Sequence, residues 1–345
     1  MFQTEPILYL QSLASDGLTF FMEVITHTGY DPFLVGVIML VMLGVSFRRG
    51  FLLLQLMMWT GAITGFLKDF FALPRPIYVD SNVQNLRMVS RSYLSEFTDM
   101  GAKGFLELLD RQVVETFRLQ DDPSYGLPSG HVSSTTALWG GIALLFRNRV
   151  FRWIAPVMVI LMALSRMYFG RHFLADVIGG AAVGGIILLV AHQLCIRCSL
   201  PDRFFERTNL ALAAKLPNIL FFCFMFLVPL LLILAGLIDG DTAGGLLGIN
   251  TAFLLVMSQG FSDDSGTLPK RAARVLLGFL LFFVTESVVD LGIELTALDD
   301  DLAWVEFVED FIPTFVTLWG IVTISVKLGL YKRESAVTKL ETSEI

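Results

Sequence analysis

The stretch LADVIGGAAVGGIILLVAHQLCI, residues 174–196, decides the fold class of this chain. It is a continuous apolar run whose single charged residue, Asp176, lies near its beginning. A helix needs about 20 mostly apolar residues to cross a membrane. A continuous run, as opposed to an alternating one, is typical of a helix and not of a barrel strand. The stretch therefore predicts a membrane-spanning helix.

Similar runs recur along the whole 345-residue chain, which is 54% hydrophobic and only 17% charged, with a mean hydropathy of +0.68. A soluble domain usually carries about a quarter charged residues. We therefore predict an all-α, polytopic transmembrane helical bundle of about nine spans. The predicted spans are residues 31–47, 51–67, 131–146, 150–165, 174–196, 219–238, 243–260, 271–291 and 311–330.

Basic residues collect at alternate ends of these spans, and short loops rich in Lys and Arg stay cytoplasmic. The basic clusters are Arg48/Arg49, Arg147/Arg149/Arg152, Arg197/Arg203/Arg207/Lys215, Lys270/Arg271/Arg274 and Lys332/Arg333. Residues 1–30 contain no Lys or Arg, which also argues against a cleavable signal peptide. The pattern predicts an external N-terminus and a cytoplasmic C-terminus.

The chain divides into four predicted regions. We expect an interfacial amphipathic helix over 1–30, a membrane core over 31–200, four further spans over 211–333 and a disordered tail over 334–345. The core includes a polar insert, 77–127, in which the spacing of apolar residues predicts an amphipathic helix over 101–118. Loops of this length often serve as lids or binding loops, and a surface cap without a catalytic part is an equally good interpretation.

Three polar clusters interrupt the apolar background, and the predicted topology puts all three on the outer side. The first runs from Lys68 to Arg75 and Pro76, the second is Pro-Ser-Gly-His at 128–131, and the third is Ser-Arg-x5-His-x3-Asp at 165–176. Ionisable groups at membrane depth are costly and usually functional. Their collection on one face predicts a single site.

The residue types indicate an anion site. Ser129 and Gly130 precede a long apolar run, so they lie at a helix N-terminus, where free N–H groups favour an anion. His131, in the first turn of that helix, would face the group that leaves the anion. Two prolines stiffen the chain around Arg75 for bidentate phosphate binding, and Lys68 adds a point charge.

His172 and Asp176 lie four residues apart. If their helix begins by Arg171, both side chains share one face. The carboxylate can then hold the Nδ1 proton and leave Nε2 free as a nucleophile. Gly180 and Gly184 continue this face at the same interval and predict a close helix–helix contact.

Together the clusters read K-x6-R-P, P-S-G-H and S-R-x5-H-x3-D, and they resemble the signature of the type 2 phosphatidic acid phosphatase (PAP2) superfamily without substitution. The resemblance implies a PAP2-like catalytic core and a metal-independent reaction without a cofactor. It implies that His172 attacks phosphorus, that Asp176 orients His172, and that His131 protonates the leaving group and then activates water. The implied phosphate-binding residues are Lys68, Arg75, Ser129, Gly130 and Arg166.

We therefore expect a membrane phosphatase that acts on phosphatidate, phosphatidylglycerophosphate or a polyprenyl pyrophosphate, in a bacterial inner membrane with its site outside. The substrate partner would be a membrane lipid, with no nucleic acid. Three alternatives remain open: a phosphotransferase, a glucose-6-phosphatase-like sugar phosphatase, and a transporter or scaffold with a degenerate site. Glu286 and Asp290, four apart in a late span, are the feature that a transporter would use.

Overall fold

The computed structural model describes residues 1–86, 95–120, 123–197, 222–258, 262–263, 266–296 and 302–333. Within these ranges the regular structure is helical, apart from a two-residue antiparallel ladder. Its strands are β1 (Ser262–Asp263) and β2 (Lys332–Arg333), with Ser262 opposite Arg333. The predicted all-α class is confirmed.

The helices follow the chain in order. They are α1 (Glu5–Ser12), α2 (Asp16–His27), α3 (Asp31–Met39), α4 (Phe47–Phe71), α5 (Pro76–Val79), α6 (Arg111–Arg118), α7 (Gly130–Phe146), α8 (Arg149–Tyr168), α9 (Leu174–Ala191), α10 (Val228–Leu234), α11 (Gly240–Ser258), α12 (Leu268–Thr296) and α13 (Ala303–Lys327). Wider π-helical turns extend three of them, at Leu40–Val45, His192–Arg197 and Cys223–Leu227.

Helices lie at each of the nine predicted spans. Among the described residues, six are long and apolar enough to cross a membrane, and a seventh span results if α2 and the segment Asp31–Val45, bent by 54°, count as one. Helix α7 has 17 residues and Cys223–Leu234 is shorter still. The polytopic bundle is confirmed, and nine remains an approximate count.

Residues 1–30 contain two helices and not the single one predicted. Helix α1 ends at Ser12, and Ser15 begins α2 by accepting a hydrogen bond from the Leu18 N–H at 3.4 Å. A serine at the cap satisfies an N–H that would otherwise lack a partner, so it favours a new helix at this point. The interfacial location of this region remains a prediction.

Of the range 101–118, predicted to be one helix, only the second half is helical. Helix α6 begins at Arg111 because the Asp110 carboxylate accepts from the Gln112 N–H at 2.7 Å. Before it, the Glu107 carboxylate accepts from the N–H groups of Lys103 and Gly104, at 3.0 and 2.7 Å, and closes a turn. Acidic side chains that bond nearby backbone groups compete with helix formation.

The chain divides into two compact units. The first comprises Met1–Val35 and Trp59–His192. In it, α7 packs against both α8 and α9, and α2 packs against α8. The polar insert shares this core, since Val79 and Val113 are fully buried with Val132 of α7 and Phe173. The described part of the insert is therefore packed into the unit and is not an outlying appendage.

The second unit comprises Gly36–Met58 and Gln193–Ile345. Its α11 lies along α13, with a glycine on α11 at every fourth residue, Gly240, Gly244 and Gly248. A Cβ at Gly244 would collide with the Phe307 carbonyl group. Small residues at this spacing let two membrane helices approach closely. The predicted boundary at 211 and the predicted disordered tail lie outside the described residues.

Candidate active site

Every predicted site residue lies at or beside a helix end in the first unit. Lys68 is in the last turn of α4, Arg75 precedes α5, Ser129, Gly130 and His131 begin α7, Arg166 is in the last turn of α8, and His172 and Asp176 flank the beginning of α9. The charges of Arg75, Arg166, Lys68 and His131 all act on His172. The structure thus brings the three predicted segments together.

His172 and Asp176 form a buried pair, only 2% and 0% exposed. The His172 Nδ1 lies 3.3 Å from Asp176 Oδ2, and the same oxygen accepts from the Phe173 N–H at 2.9 Å. The sequence predicted this pairing for a helix that begins by Arg171. That helix start is wrong, since α9 begins at Leu174 and His172 lies before it. The pair forms because Asp176, in the first turn, reaches back over the helix N-terminus.

The pKa of His172 lies well below its ordinary value. Burial is the largest cause, because it penalises the charged ring, and the positive charges of Arg75, Arg166, Lys68 and His131 act in the same direction. His172 is therefore a neutral imidazole at neutral pH. With Nδ1 donating to Asp176, Nε2 carries the lone pair that a nucleophile needs.

The beginning of α7 presents its polar groups to the same place. Ser129 precedes the helix, and its N–H donates to the Asp176 backbone carbonyl at 2.9 Å, which joins α7 to α9. The Ser129 hydroxyl is buried and has no hydrogen-bond partner among the described residues. An unpaired buried hydroxyl costs about 1–3 kcal/mol, and an anion at the helix N-terminus would supply the missing acceptor.

Lys68 approaches this helix start closely. A Cβ on Gly130 would lie 3.5 Å from Lys68 Nζ, an ordinary contact distance, so the ammonium group lies directly beside this residue. One turn deeper, the hydroxyls of Thr64 and Ser133 bond at 2.9 Å, and the Ser133 hydroxyl also bonds the Gly130 carbonyl at 2.9 Å. These bonds fix α4 against α7 just below Lys68.

The polar insert holds the segment that carries Arg75. The Arg75 Nε donates to the Ser124 carbonyl at 3.0 Å, and the Gly126 N–H donates to the Leu73 carbonyl at 2.7 Å. Arg118 of α6 donates to two carbonyls at the end of α4, those of Phe71 and Ala72. The insert therefore positions a site residue, which favours a role beyond a surface cap.

Sequence reasoning missed four residues that touch the site. Thr26 accepts a hydrogen bond from Arg166, and Tyr30 packs on the His131 ring. Gly29 and Gly126 lie so close to His131 and Asp176 that a Cβ would come within 2.9 Å of each. Gly29 and Tyr30, between two apolar segments, were the available signal, since glycine marks a break or a close backbone approach.

The predicted glycine contact on α9 is confirmed. A Cβ at Gly180 would collide with the Ser129 carbonyl, and one at Gly184 would lie 2.7 Å from Thr136 Cβ and 2.8 Å from the Ser133 carbonyl. The two glycines allow α9 to lie directly against the first turns of α7. This contact sets the distance between His131, in the first turn of α7, and His172, just before α9.

One comparison with known proteins, a family model, matches the region that builds this site. The family model of the PAP2 superfamily matches residues 49–199. The chain is 40% identical over 68 residues to a lipid A 4'-phosphatase of Porphyromonas gingivalis, covering 20% of this chain and 28% of that protein. It is 30% identical over 114 residues to a lipid A 1-phosphatase of Rhizobium etli, covering 33% of this chain and 44% of that protein.

A third relative is an undecaprenyl-diphosphatase of Bacillus subtilis, 38% identical over 60 residues, which are 17% of this chain and 30% of that protein. The chain thus spans less than half the length of each of these curated relatives. No solved structure matches it. The match to the PAP2 superfamily model covers residues 49–199, which include all three polar segments of the site.

Proposed function

We propose that this protein is an integral membrane phosphatase that releases phosphate from a lipid phosphate or diphosphate through a phosphohistidine intermediate. The observation that carries the proposal is the buried pair of His172 and Asp176, 3.3 Å apart, facing the start of α7. The three relatives described above are phosphatases of lipids by name.

In the first step, His172 Nε2 attacks phosphorus and the bond from phosphorus to the leaving oxygen breaks. Asp176 holds the Nδ1 proton, so it keeps the lone pair on Nε2 and stabilises the positive charge that the ring acquires. His131 donates its proton to the leaving alkoxide or phosphate. The products of this step are the dephosphorylated lipid and a phosphohistidine.

In the second step, His131, now neutral, accepts a proton from water. The resulting hydroxide attacks phosphorus, the bond from phosphorus to Nε2 breaks, and inorganic phosphate leaves. His172 returns to its neutral form with its Nδ1 proton unchanged, and His131 again holds a proton. The cycle needs no redox partner or second substrate besides water.

The remaining residues bind the phosphoryl oxygens. Arg166 and Arg75 offer guanidinium groups, and Lys68 offers an ammonium group beside Gly130. The Ser129 hydroxyl and the free N–H groups of the first turn of α7 complete the donors. Phosphoryl transfer depends chiefly on such positioning and charge stabilisation, and the three basic groups supply the positive charge that a metal ion supplies in other phosphatases.

We propose that the substrate is reached from the lipid phase of a bacterial inner membrane, with the site on the periplasmic side, the N-terminus outside and the C-terminus inside. The support is the alternation of basic clusters along the sequence. A headgroup phosphate can then enter the site while its acyl or prenyl chains stay in the bilayer.

The test is a substrate panel on the purified full chain in detergent, with EDTA present. The panel contains phosphatidate, phosphatidylglycerophosphate, lipid A and undecaprenyl diphosphate, and His172→Ala serves as the matched control. We expect phosphate release from at least one lipid that resists EDTA and is absent in the variant. No release from any lipid, or release that EDTA abolishes, would contradict the proposal.

A labelled donor lipid with an added acceptor alcohol separates hydrolysis from phosphotransfer. We expect the label in inorganic phosphate. Label that moves to the acceptor in preference to water would make the protein a phosphotransferase that uses the same phosphohistidine.

A further inference from the structure

The break between α2 and α3 reaches the candidate site, although no sequence motif marks it. The two helices meet at an angle of 54°, and the residues at the break, together with the last turn of α2, lie against α7 and α8. Three of them contact residues to which the proposed function gives a role. These three are Thr26, Gly29 and Tyr30.

Tyr30 fixes the plane of the His131 ring. The two ring centroids are 4.6 Å apart at an interplanar angle of 88°, an edge-to-face contact in the range that aromatic rings prefer. His131 also meets the backbone at Gly29, where a Cβ would lie 2.9 Å from His131 Cδ2. The imidazole therefore contacts two consecutive residues of the break.

Thr26 and Tyr30 also hold Arg166. The Arg166 side chain is only 4% exposed, and one terminal nitrogen donates to the fully buried Thr26 hydroxyl at 2.9 Å. The Tyr30 side chain lies beside the same guanidinium group. A buried guanidinium without hydrogen-bond acceptors is strongly disfavoured. The Thr26 and Tyr30 hydroxyl groups therefore determine where the Arg166 guanidinium group lies.

We propose that the α2–α3 break is a fourth segment of the active site, in which Tyr30 positions His131 and Thr26 positions Arg166. The proposal rests on the proposed function of His131 and Arg166. Neither Tyr30 nor Thr26 is assigned a contact with the reacting atoms, so both are positioning residues. Their effect is to hold the proton donor and one phosphate-binding cation in a fixed relation before substrate arrives.

The first test does not need turnover. The chain has four histidines, so isotope-labelled histidine gives a simple NMR spectrum, and His131→Ala identifies the His131 signal. Loss of the Tyr30 ring in Tyr30→Ala should shift the His131 ring resonances and leave those of His172 in place. Tyr30→Phe keeps the ring and should leave the His131 signal near its original position.

Two glycine variants test the same contact if Tyr30→Ala folds poorly. Gly29→Ala should displace the His131 ring and shift its signal, whereas Gly17→Ala on α2 has nothing within 4 Å of its new methyl group and should leave the spectrum unchanged. Tyr9→Ala, an exposed tyrosine on α1, is the control for loss of an aromatic ring. A His131 signal that is unmoved in both Tyr30→Ala and Gly29→Ala overturns the role of Tyr30.

The second test concerns Arg166 and uses inorganic phosphate and vanadate as probes. Thr26→Val removes the hydroxyl acceptor at nearly constant volume and should weaken vanadate binding about tenfold or more, because a hydrogen bond to a charged group is lost. Thr26→Ser keeps the hydroxyl and should restore binding to within about fourfold, as expected when only the methyl group is lost. For a substrate, the loss should appear in kcat/KM.

The outcomes separate this proposal from the proposed function. If the wild-type protein releases no phosphate from any lipid and does not bind vanadate, the proposed function fails, and the NMR comparison still decides whether Tyr30 orients His131. If the wild-type protein is active but Thr26→Val binds vanadate as tightly as Thr26→Ser, the role of Thr26 is wrong while the proposed function stands.

Discussion

Gly126 offers a sharp test of the pairing between His172 and Asp176. The residue lies where the polar insert returns to α7, and a Cβ placed on it would come 2.9 Å from Asp176 Oδ2 and 3.1 Å from the Pro74 carbonyl oxygen. Its φ angle is not among the positive ones, so alanine is compatible with the backbone. The whole effect of Gly126→Ala must therefore come from the new methyl group.

The size of the effect follows from the distances. An ordinary contact begins at 3.4 Å, so the methyl group requires a displacement of about 0.5 Å. The Pro74 carbonyl is backbone and resists, which leaves the carboxylate to move. Its bond to His172 Nδ1 is already 3.3 Å long, and a shift of this size breaks it. Loss of a hydrogen bond to a charged group costs about 1.5–3 kcal/mol, so kcat/KM should fall by roughly tenfold to 150-fold.

The assay is kcat/KM with p-nitrophenyl phosphate and with the preferred lipid, on purified protein in detergent. Gly185→Ala is the matched control, because it adds a methyl group to the same helix as Asp176 with nothing within 4 Å. The control should keep its activity and melt at the same or a slightly higher temperature, since alanine favours a helix by about 1 kcal/mol over glycine. Activity of Gly126→Ala within about twofold of wild type would refute the reasoning.

Three further predictions concern the proposed catalytic groups. His172→Ala should abolish turnover while its thermal unfolding and detergent elution stay those of the folded protein, and measurable wild-type-like turnover would remove the mechanism. His131→Ala should retain a trapped phosphoenzyme when the leaving group is activated, seen as acid-labile label on the protein; absence of the label would show that His131 is needed for attack itself. Lys68→Met removes a positive charge that lowers the His172 pKa, so that pKa should rise towards its ordinary value. Because only the neutral ring is a nucleophile, the acid limb of kcat/KM should then move to higher pH, and an unchanged His172 pKa in an NMR titration would contradict the argument.

The sequence predicted the helices well because membrane spans depend on local composition. Each predicted apolar run coincides with a helix, from α3 at 31–47 to α13 at 311–330, since lipid leaves the backbone few alternatives. The helices of the polar segments were harder to predict from the sequence. Asp110 and Glu107 shorten α6 by bonding nearby N–H groups, a competition between side chain and helix that apolar spacing does not reveal.

The predicted site residues could be found because their chemistry is unusual at membrane depth. His172, His131 and Arg75 stand out against apolar neighbours, and their spacing matches a known signature. Thr26 and Tyr30 do not stand out, because hydroxyl and aromatic residues are ordinary near a membrane surface. Their contacts with the site depend on the bend between α2 and α3; Gly29 marks a break there, but the sequence does not show which helices the break contacts.

The charge balance of the site explains why the polar insert is built into the unit. Within the described part of the chain, Lys68, Arg75 and Arg166 make no ion pair with a carboxylate; Arg75 donates to the Ser124 carbonyl and Arg166 to the Thr26 hydroxyl. Neutral acceptors fix the direction of each cation but do not cancel its charge. The three positive charges therefore repel one another until a phosphate dianion arrives, and the contacts from the insert and from the α2–α3 break hold them together in its absence. Under the proposed function, a site arranged in this way binds a phosphate dianion and stabilises the charge that the three equatorial oxygens share in the transition state.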